Sequence, residues 1–151
     1  MNVCGVLLPN RALTDSDIVN YVCKLKIHHF RGVFMRDNLP ESPHQREVAV
    51  VNFNTSVERG SHWVAFHKDG DNRIYFDSFG QITLGEIQQY LKTDAELREG
   101  KRVIQRNTDI VQRINTSVCG HLCLYVLKAL QTHTYQEVLN TLNDGFTRHD
   151  W

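Results

Sequence analysis

The chain has 151 residues, 41% of them hydrophobic, with 17 basic and 17 acidic side chains and a formal net charge of zero. That length fits one domain, residues 1–151, with enough apolar material for a real core. Balanced charge argues against a scaffold that grips nucleic acid by bulk electrostatics, and no run approaches the roughly 18 apolar residues that span a membrane. Two basic clusters, Lys24–Lys26–His28–His29–Arg31 and Lys101–Arg102–Arg106, read as solvated faces. No signal peptide is expected. The four cysteines, Cys4, Cys23, Cys119 and Cys123, are expected to be reduced thiols of an intracellular protein.

In chain order, Thr14 followed by Asp15 and Asp17 marks a capped helix start, and Ile18, Val22 and Leu25 keep helical spacing to about Lys26. Residues 32–35 form a short apolar run that suits a strand. Residues 38–47 hold Pro40 and Pro43 and read as loop. Val48 to Phe53 is nearly continuous in apolar residues, as expected of a central strand. His62–His67 and Arg73–Asp77 are two further strands, with Asp69-Gly70-Asp71-Asn72 as a hairpin signal between them. Thr83 to Leu91 reads as a short helix capped by Thr83, and Arg102–Gln105 as a last strand. Ser117 to about Leu130 is apolar almost all round and belongs in the centre of a domain. Thr134 and Glu137 form a capping box that opens a C-terminal helix to about Leu142. The expected class is α+β: a mostly antiparallel central sheet packed against a buried helix that carries Cys119.

Cys119 opens that helix, where unpaired N–H groups and the positive end of the dipole stabilise a thiolate. A nucleophilic cysteine needs a base, an orienter for the base, and an oxyanion donor. Of eight histidines, His62 has a partner within reach, because Asp77 lies on the other arm of the hairpin. An Asp69-Gly70 loop pairs His62 directly with Asp77. A Gly70-Asp71 loop pairs His62 with Phe79 and leaves Asp77 diagonal to it. Either even-length loop keeps both side chains on one face. Gln112, a short loop upstream of the cysteine, is the candidate oxyanion donor together with the Cys119 N–H, with Gln105 as a rival. Gly120 leaves room beside the sulfur for a substrate carbonyl. Trp63 reads as a core or rim aromatic and is, with Gly120, a candidate substrate contact. Cys119, His121 and Cys123 raise the question of zinc. Positions 119 and 123 share a helix face while 121 points away, and no second CxxC pair exists, so no metal is expected. Cys123 reads as core packing.

As a set, Gly60-Ser61-His62-Trp63-Val64, Tyr75-Phe76-Asp77-Ser78-Phe79-Gly80, Gln112 and Asn115-Thr116-Ser117-Val118-Cys119-Gly120-His121-Leu122-Cys123 resemble the adenovirus-protease (adenain) group and the related proteases of ubiquitin-like modifiers. The Gln-to-Cys gap and the Cys-Gly-x-x-Cys run look more like the adenain branch. Gly32-Val33-Phe34-Met35-Arg36-Asp37, the His-Trp strand and Phe-Asp-Ser-Phe-Gly look most like the adenain-like proteases of Polinton/Maverick elements and virophages. The resemblance covers roughly residues 13 to 130. It implies a papain-like, circularly permuted arrangement and a cysteine endopeptidase with His62 as base, Asp77 as orienter, Cys119 as nucleophile and Gln112 at the oxyanion. It also implies cleavage after small residues, commonly glycine, in capsid and other virion precursors. Adenovirus enzymes carry glutamate where Asp77 stands, and Asp serves in other members. Adenain also takes a viral peptide through a disulfide and uses DNA. No cysteine lies between Cys23 and Cys119 to receive a peptide, and net charge is zero, so neither activator is expected and no cofactor is assigned.

Alternatives remain at this level. A deconjugase of a ubiquitin-like modifier would use the same chemistry on a different polypeptide. A chymotrypsin-fold cysteine protease shares the His–Asp–Cys order but is all-β, against the long helix after Cys119. A catalytically inactive binding module on the same fold would have no need of intact His62, Asp77, Cys119 and Gln112.

Overall fold

The structure is a computed structural model that describes residues 1–55, 62–112 and 116–144. A small hairpin of β1 (Asn2–Val3) and β2 (Val6–Leu7) comes first, its turn made by Cys4 and Gly5 at positive φ. Helix α1 (Asp15–Leu25) follows. The Thr14 hydroxyl accepts from the Asp17 N–H at 3.1 Å, and the Asp17 carboxylate accepts from the Thr14 N–H at 2.9 Å. That reciprocal pair satisfies two end-of-helix donors and fixes where the helix begins. Its apolar stripe buries Ile18, Val22 and Leu25, each worth about 1.5–3 kcal/mol of transfer free energy.

Five strands make the main sheet in the order β3 (Phe30–Met35), β4 (Arg46–Asn52), β5 (Trp63–Asp69), β6 (Asn72–Phe76), β7 (Ile104–Arg106). Antiparallel pairing is confined to β4, β5 and β6. The outer strands β3 and β7 each pair in parallel with their neighbours. Parallel neighbours need a crossover, and between β6 and β7 it is supplied by α2 (Gly85–Leu91) and α3 (Asp94–Glu99). The register Asp69↔Asn72 leaves Gly70 and Asp71 as the hairpin loop. This is the second of the two even loops left open by the sequence. Gly70 has φ +60, as a tight loop with glycine at its first central position requires.

The sheet is covered on both faces. On one, Val48, Val50, Trp63, Ala65, Ile74 and Phe76 pack against α1, α4 (Cys119–Ala129) and α5 (Tyr135–Asn143). On the other, Ala49, Val51, Val64, Phe66 and Tyr75 pack against α2. Helix α4 buries nearly every residue from Cys119 to Leu127, which explains an apolar sequence with no polar stripe.

Several features differ from expectation. Two of the four pairings in the main sheet are parallel, so it is not mostly antiparallel, and the β1–β2 hairpin and the start of β3 at Phe30 lie outside the expected elements. Thr83 does not cap α2: the helix starts at Gly85 with Leu84 at the cap position, too late for the Thr83 hydroxyl to reach its first turn. Strand β7 begins two residues later than expected because its parallel register is set by Arg73↔Ile104. Helix α3 carries a Thr93–Glu96 capping box and ends at Gly100 in the left-handed region, yet buries no residue, so it has no apolar stripe to betray it.

Candidate active site

The hairpin register, continued past its last pair, places His62 opposite Phe79 and Asp77 opposite Val64. Both candidates therefore stand one residue beyond the ends of β5 and β6, where the ladder stops and side chains are free to converge. The His62 Nε2–H donates to Asp77 Oδ1 at 2.8 Å. The carboxylate is fully buried, and Oδ1 also accepts from the Phe79 N–H at 2.9 Å. With Nε2 committed to Asp77, Nδ1 is the ring nitrogen left for a second partner.

Cys119 lines the same cleft as His62. Burial works against a charge on the imidazole, but its interactions with Asp77, above all the hydrogen bond, and with Cys119 outweigh it, and the ring holds its proton to about 9. Cys119 arrives from the opposite side of the sheet. Its helix packs on the face of Trp63 and Ala65, while His62 and Asp77 share the strand parity of Val64 and Tyr75. The groups meet around the end of β5 rather than across one sheet face, and the Trp63 N–H at that end donates to Cys119 Sγ at 3.4 Å.

Cys119 is the first residue of α4. The helices α1, α3 and α5 each carry a threonine capping box, whereas α4 has Val118 at the cap position and no side-chain cap. Its first-turn N–H groups are thus not occupied by a capping side chain, and the positive end of the helix dipole is left at the sulfur.

Gln112 and Cys119 line one cleft of about 250 Å³ with His62, Trp63 and Phe79. The Gln112 side chain is almost wholly buried and held at both ends. Its Oε1 accepts from the Ser78 hydroxyl at 2.5 Å, and its Nε2–H donates to the Thr116 carbonyl at 2.8 Å. Gln105, the rival, lies on β7 and donates to Asn72 at the turn end of the sheet. The loop between Gln112 and Thr116, residues 113–115, lies outside the described residues, as do Gly60 and Ser61.

Trp63 and Gly120 sit at the site with structural contacts of their own. The Trp63 indole N–H donates to the Leu13 carbonyl at 2.9 Å. A Cβ at Gly120 would stand 3.2 Å from both Leu13 and the Trp63 ring. The missing side chain thus lets α4 approach these two residues closely. His121 is buried with Nε2 bonded to the Pro9 carbonyl at 2.7 Å. Cys123 is fully buried, and burial pushes its thiol well up. Among the described residues, no group of three His, Cys, Asp or Glu side chains is placed to hold a metal ion.

The model of the adenovirus endoprotease family matches residues 30–145. The chain belongs to that family. This adenovirus-endoprotease relative is similar in fold to the crystallised African swine fever virus (ASFV) protease. The TM-score is 0.56 at 19% identity, covering 88% of this chain and 62% of that one. Against the selenomethionine form of the same viral protease the values are 0.55, 20%, 88% and 63%. The chain thus spans less than two thirds of the ASFV enzyme. No curated protein matches it by sequence. No helix among the described residues is long and apolar enough to cross a membrane.

Two residues of the site escaped the sequence reading. Ser78 was hidden inside the Phe-Asp-Ser-Phe-Gly run, next to the residue that drew attention. Asn107 follows the last β6–β7 pair and takes over from the ladder. Its side-chain amide donates to the Asp77 carbonyl at 2.6 Å and accepts from the Asp77 N–H at 3.0 Å. The Tyr135 hydroxyl supports it, donating to the Tyr75 carbonyl at 2.6 Å and lying 3.3 Å from Asn107 Oδ1. An Asn directly after a strand is the one local signal for such a clasp.

Proposed function

We propose that residues 1–151 form a single domain acting as a cysteine endopeptidase, with Cys119 as nucleophile, His62 as base and acid, Asp77 as orienter, and Gln112 with the Cys119 N–H as oxyanion donors. The observation that carries this reading is the His62–Asp77 hydrogen bond of 2.8 Å at the mouth of the cleft that holds Cys119 and Gln112. His62 takes the Cys119 thiol proton as Sγ attacks the scissile carbonyl carbon, and the C=O pair moves onto oxygen, where the two N–H groups meet it. The tetrahedral adduct collapses, the C–N bond breaks, and His62 gives its proton to the leaving amine. Water then attacks the acyl-enzyme, with His62 taking its proton, and the acid leaves as the thiol is restored.

Substrate choice rests on the cleft. Its volume is only about 250 Å³ and Trp63, Phe79 and Leu13 line it, which supports cleavage after small residues, glycine above all. The family points to precursors of capsid and other virion proteins, inside the host cell or the assembling particle, whereas the cysteine placement and zero net charge of this chain give no support to a disulfide-linked peptide or DNA activator.

The test is a cleavage panel with active-site titration. Gly-x-Gly peptides of capsid type and modifier fusions ending in Gly-Gly are offered to wild type and to Cys119→Ala. Cleavage of the first set by wild type alone supports the proposal. Turnover of modifier fusions alone would replace it with a deconjugase. No turnover of either, with Cys119 no more reactive to iodoacetamide than Cys4 or Cys23, would leave a binding module.

A further inference from the structure

We infer that Ser78 is a positioning residue for the oxyanion donor, acting through Gln112; this rests on the assignment of Gln112 made above. A primary amide offers two N–H donors and an acceptor oxygen, and its function as a donor depends on which end faces the reaction. In this protein both ends of the Gln112 amide are tied. The Ser78 hydroxyl has its hydrogen bond to Oε1 at 2.5 Å, and Nε2 gives one N–H to the Thr116 carbonyl at 2.8 Å. Turning the amide over would set its oxygen against that carbonyl and its N–H₂ against a hydroxyl that now donates. The second Nε2–H has no partner among the described residues, and Gln112 lines the cleft of Cys119.

Ser78 is itself held with little freedom. It is fully buried. Its carbonyl accepts from the Val111 N–H at 2.9 Å, which ties residue 78 to the backbone beside Gln112. The next bond along the chain closes a turn, with the Gly80 N–H donating to the Asp77 carbonyl at 2.8 Å. Consecutive residues thus serve both arms of the proposed chemistry. Asp77 addresses the base, Ser78 the oxyanion donor, and Phe79 returns its N–H to Asp77 while its ring lies 5.0 Å from the His62 ring. A donor aimed at a developing charge loses most of its value when it is free to rotate, so orientation here is a rate effect rather than a binding effect.

The experiment is a double-mutant cycle in peptide cleavage, using Ser78→Ala, Gln112→Ala and the pair. Ser78→Ala is expected to lower kcat about 10- to 100-fold with KM within about twofold, since misorientation of a catalytic group costs up to about 10²-fold. Gln112→Ala is expected to lower kcat about 10²- to 10³-fold. In the Gln112→Ala background, Ser78→Ala should add less than about twofold, because residues that act as a unit are not additive. Alkylation of Cys119 by iodoacetamide should keep its wild-type rate in Ser78→Ala, a readout that general damage to the fold would move. Ser78→Cys, nearly the same size but a weak donor, serves if the alanine variant unfolds, with a smaller loss of kcat expected. A wild-type kcat in both Ser78 variants, or an equal loss in both backgrounds, would overturn the inference alone. A wild-type kcat in Gln112→Ala would overturn the oxyanion assignment beneath it.

Discussion

His62 offers the sharpest physical prediction. In the folded protein it holds its proton to about 9, because its interactions with Asp77 and Cys119 outweigh burial, whereas an unfolded chain releases it near 6.5. Between these values the native state binds the extra proton, so raising the pH must cost stability. The contribution is complete below about 6.5 and is lost as pH rises through about 9. At 1.36 kcal/mol per pH unit, that interval corresponds to about 3 kcal/mol. Urea unfolding from pH 6 to 10 on wild type and His62→Gln isolates the effect of the site, since groups remote from His62 cancel in the difference. Wild type should lose about 3 kcal/mol more than the variant across the range. In Cys119→Ala the loss should shrink and move to lower pH, one supporting interaction being gone. Parallel profiles for wild type and His62→Gln would refute a protonated, paired imidazole.

Three further outcomes follow from the same geometry. Cys119→Ala should abolish peptide cleavage while leaving the fold intact by circular dichroism, since the sulfur's hydrogen bond in the fold is the 3.4 Å one from Trp63. In wild type, iodoacetamide should label buried Cys119 ahead of exposed Cys4 and Cys23, as peptide mass mapping would show; slower labelling would argue against activation. Asn107→Ala strands the Asp77 N–H in the interior, while the Asp77 carbonyl keeps the Gly80 N–H, and should destabilise by about 1–3 kcal/mol in urea unfolding, the cost of one unsatisfied group.

What the sequence revealed depended on how local the cause was. The capping boxes at Thr14 and Thr134 fixed two helices almost to the residue, because the donors and acceptors lie within one turn. The hairpin parity that joined His62 to Asp77 followed from the period of a strand and a two-residue loop. The side from which Cys119 approaches did not follow, because it depends on α4 packing on the Trp63 face, a contact 56 residues apart in sequence. Asn107 and Ser78 were equally invisible. Their partners, Asp77 and Gln112, stand 30 and 34 residues away, and no periodicity links them. Helix α3 is the opposite case: its capping residues Thr93, Glu96 and Gly100 are local, but it has no apolar stripe between them to mark a helix.

The position of Trp63 has a practical consequence. The chain has two tryptophans, Trp63 and Trp151. Trp63 lies with its backbone N–H on the sulfur of Cys119, its ring against the first turn of α4 and its indole N–H on Leu13. Its emission is therefore a built-in optical gauge of the sulfur's chemical state. In a Trp151→Phe background, acylation or alkylation of Cys119 should change the fluorescence of the single remaining indole, so that turnover can be followed in stopped flow on unlabelled protein with natural polypeptide substrates.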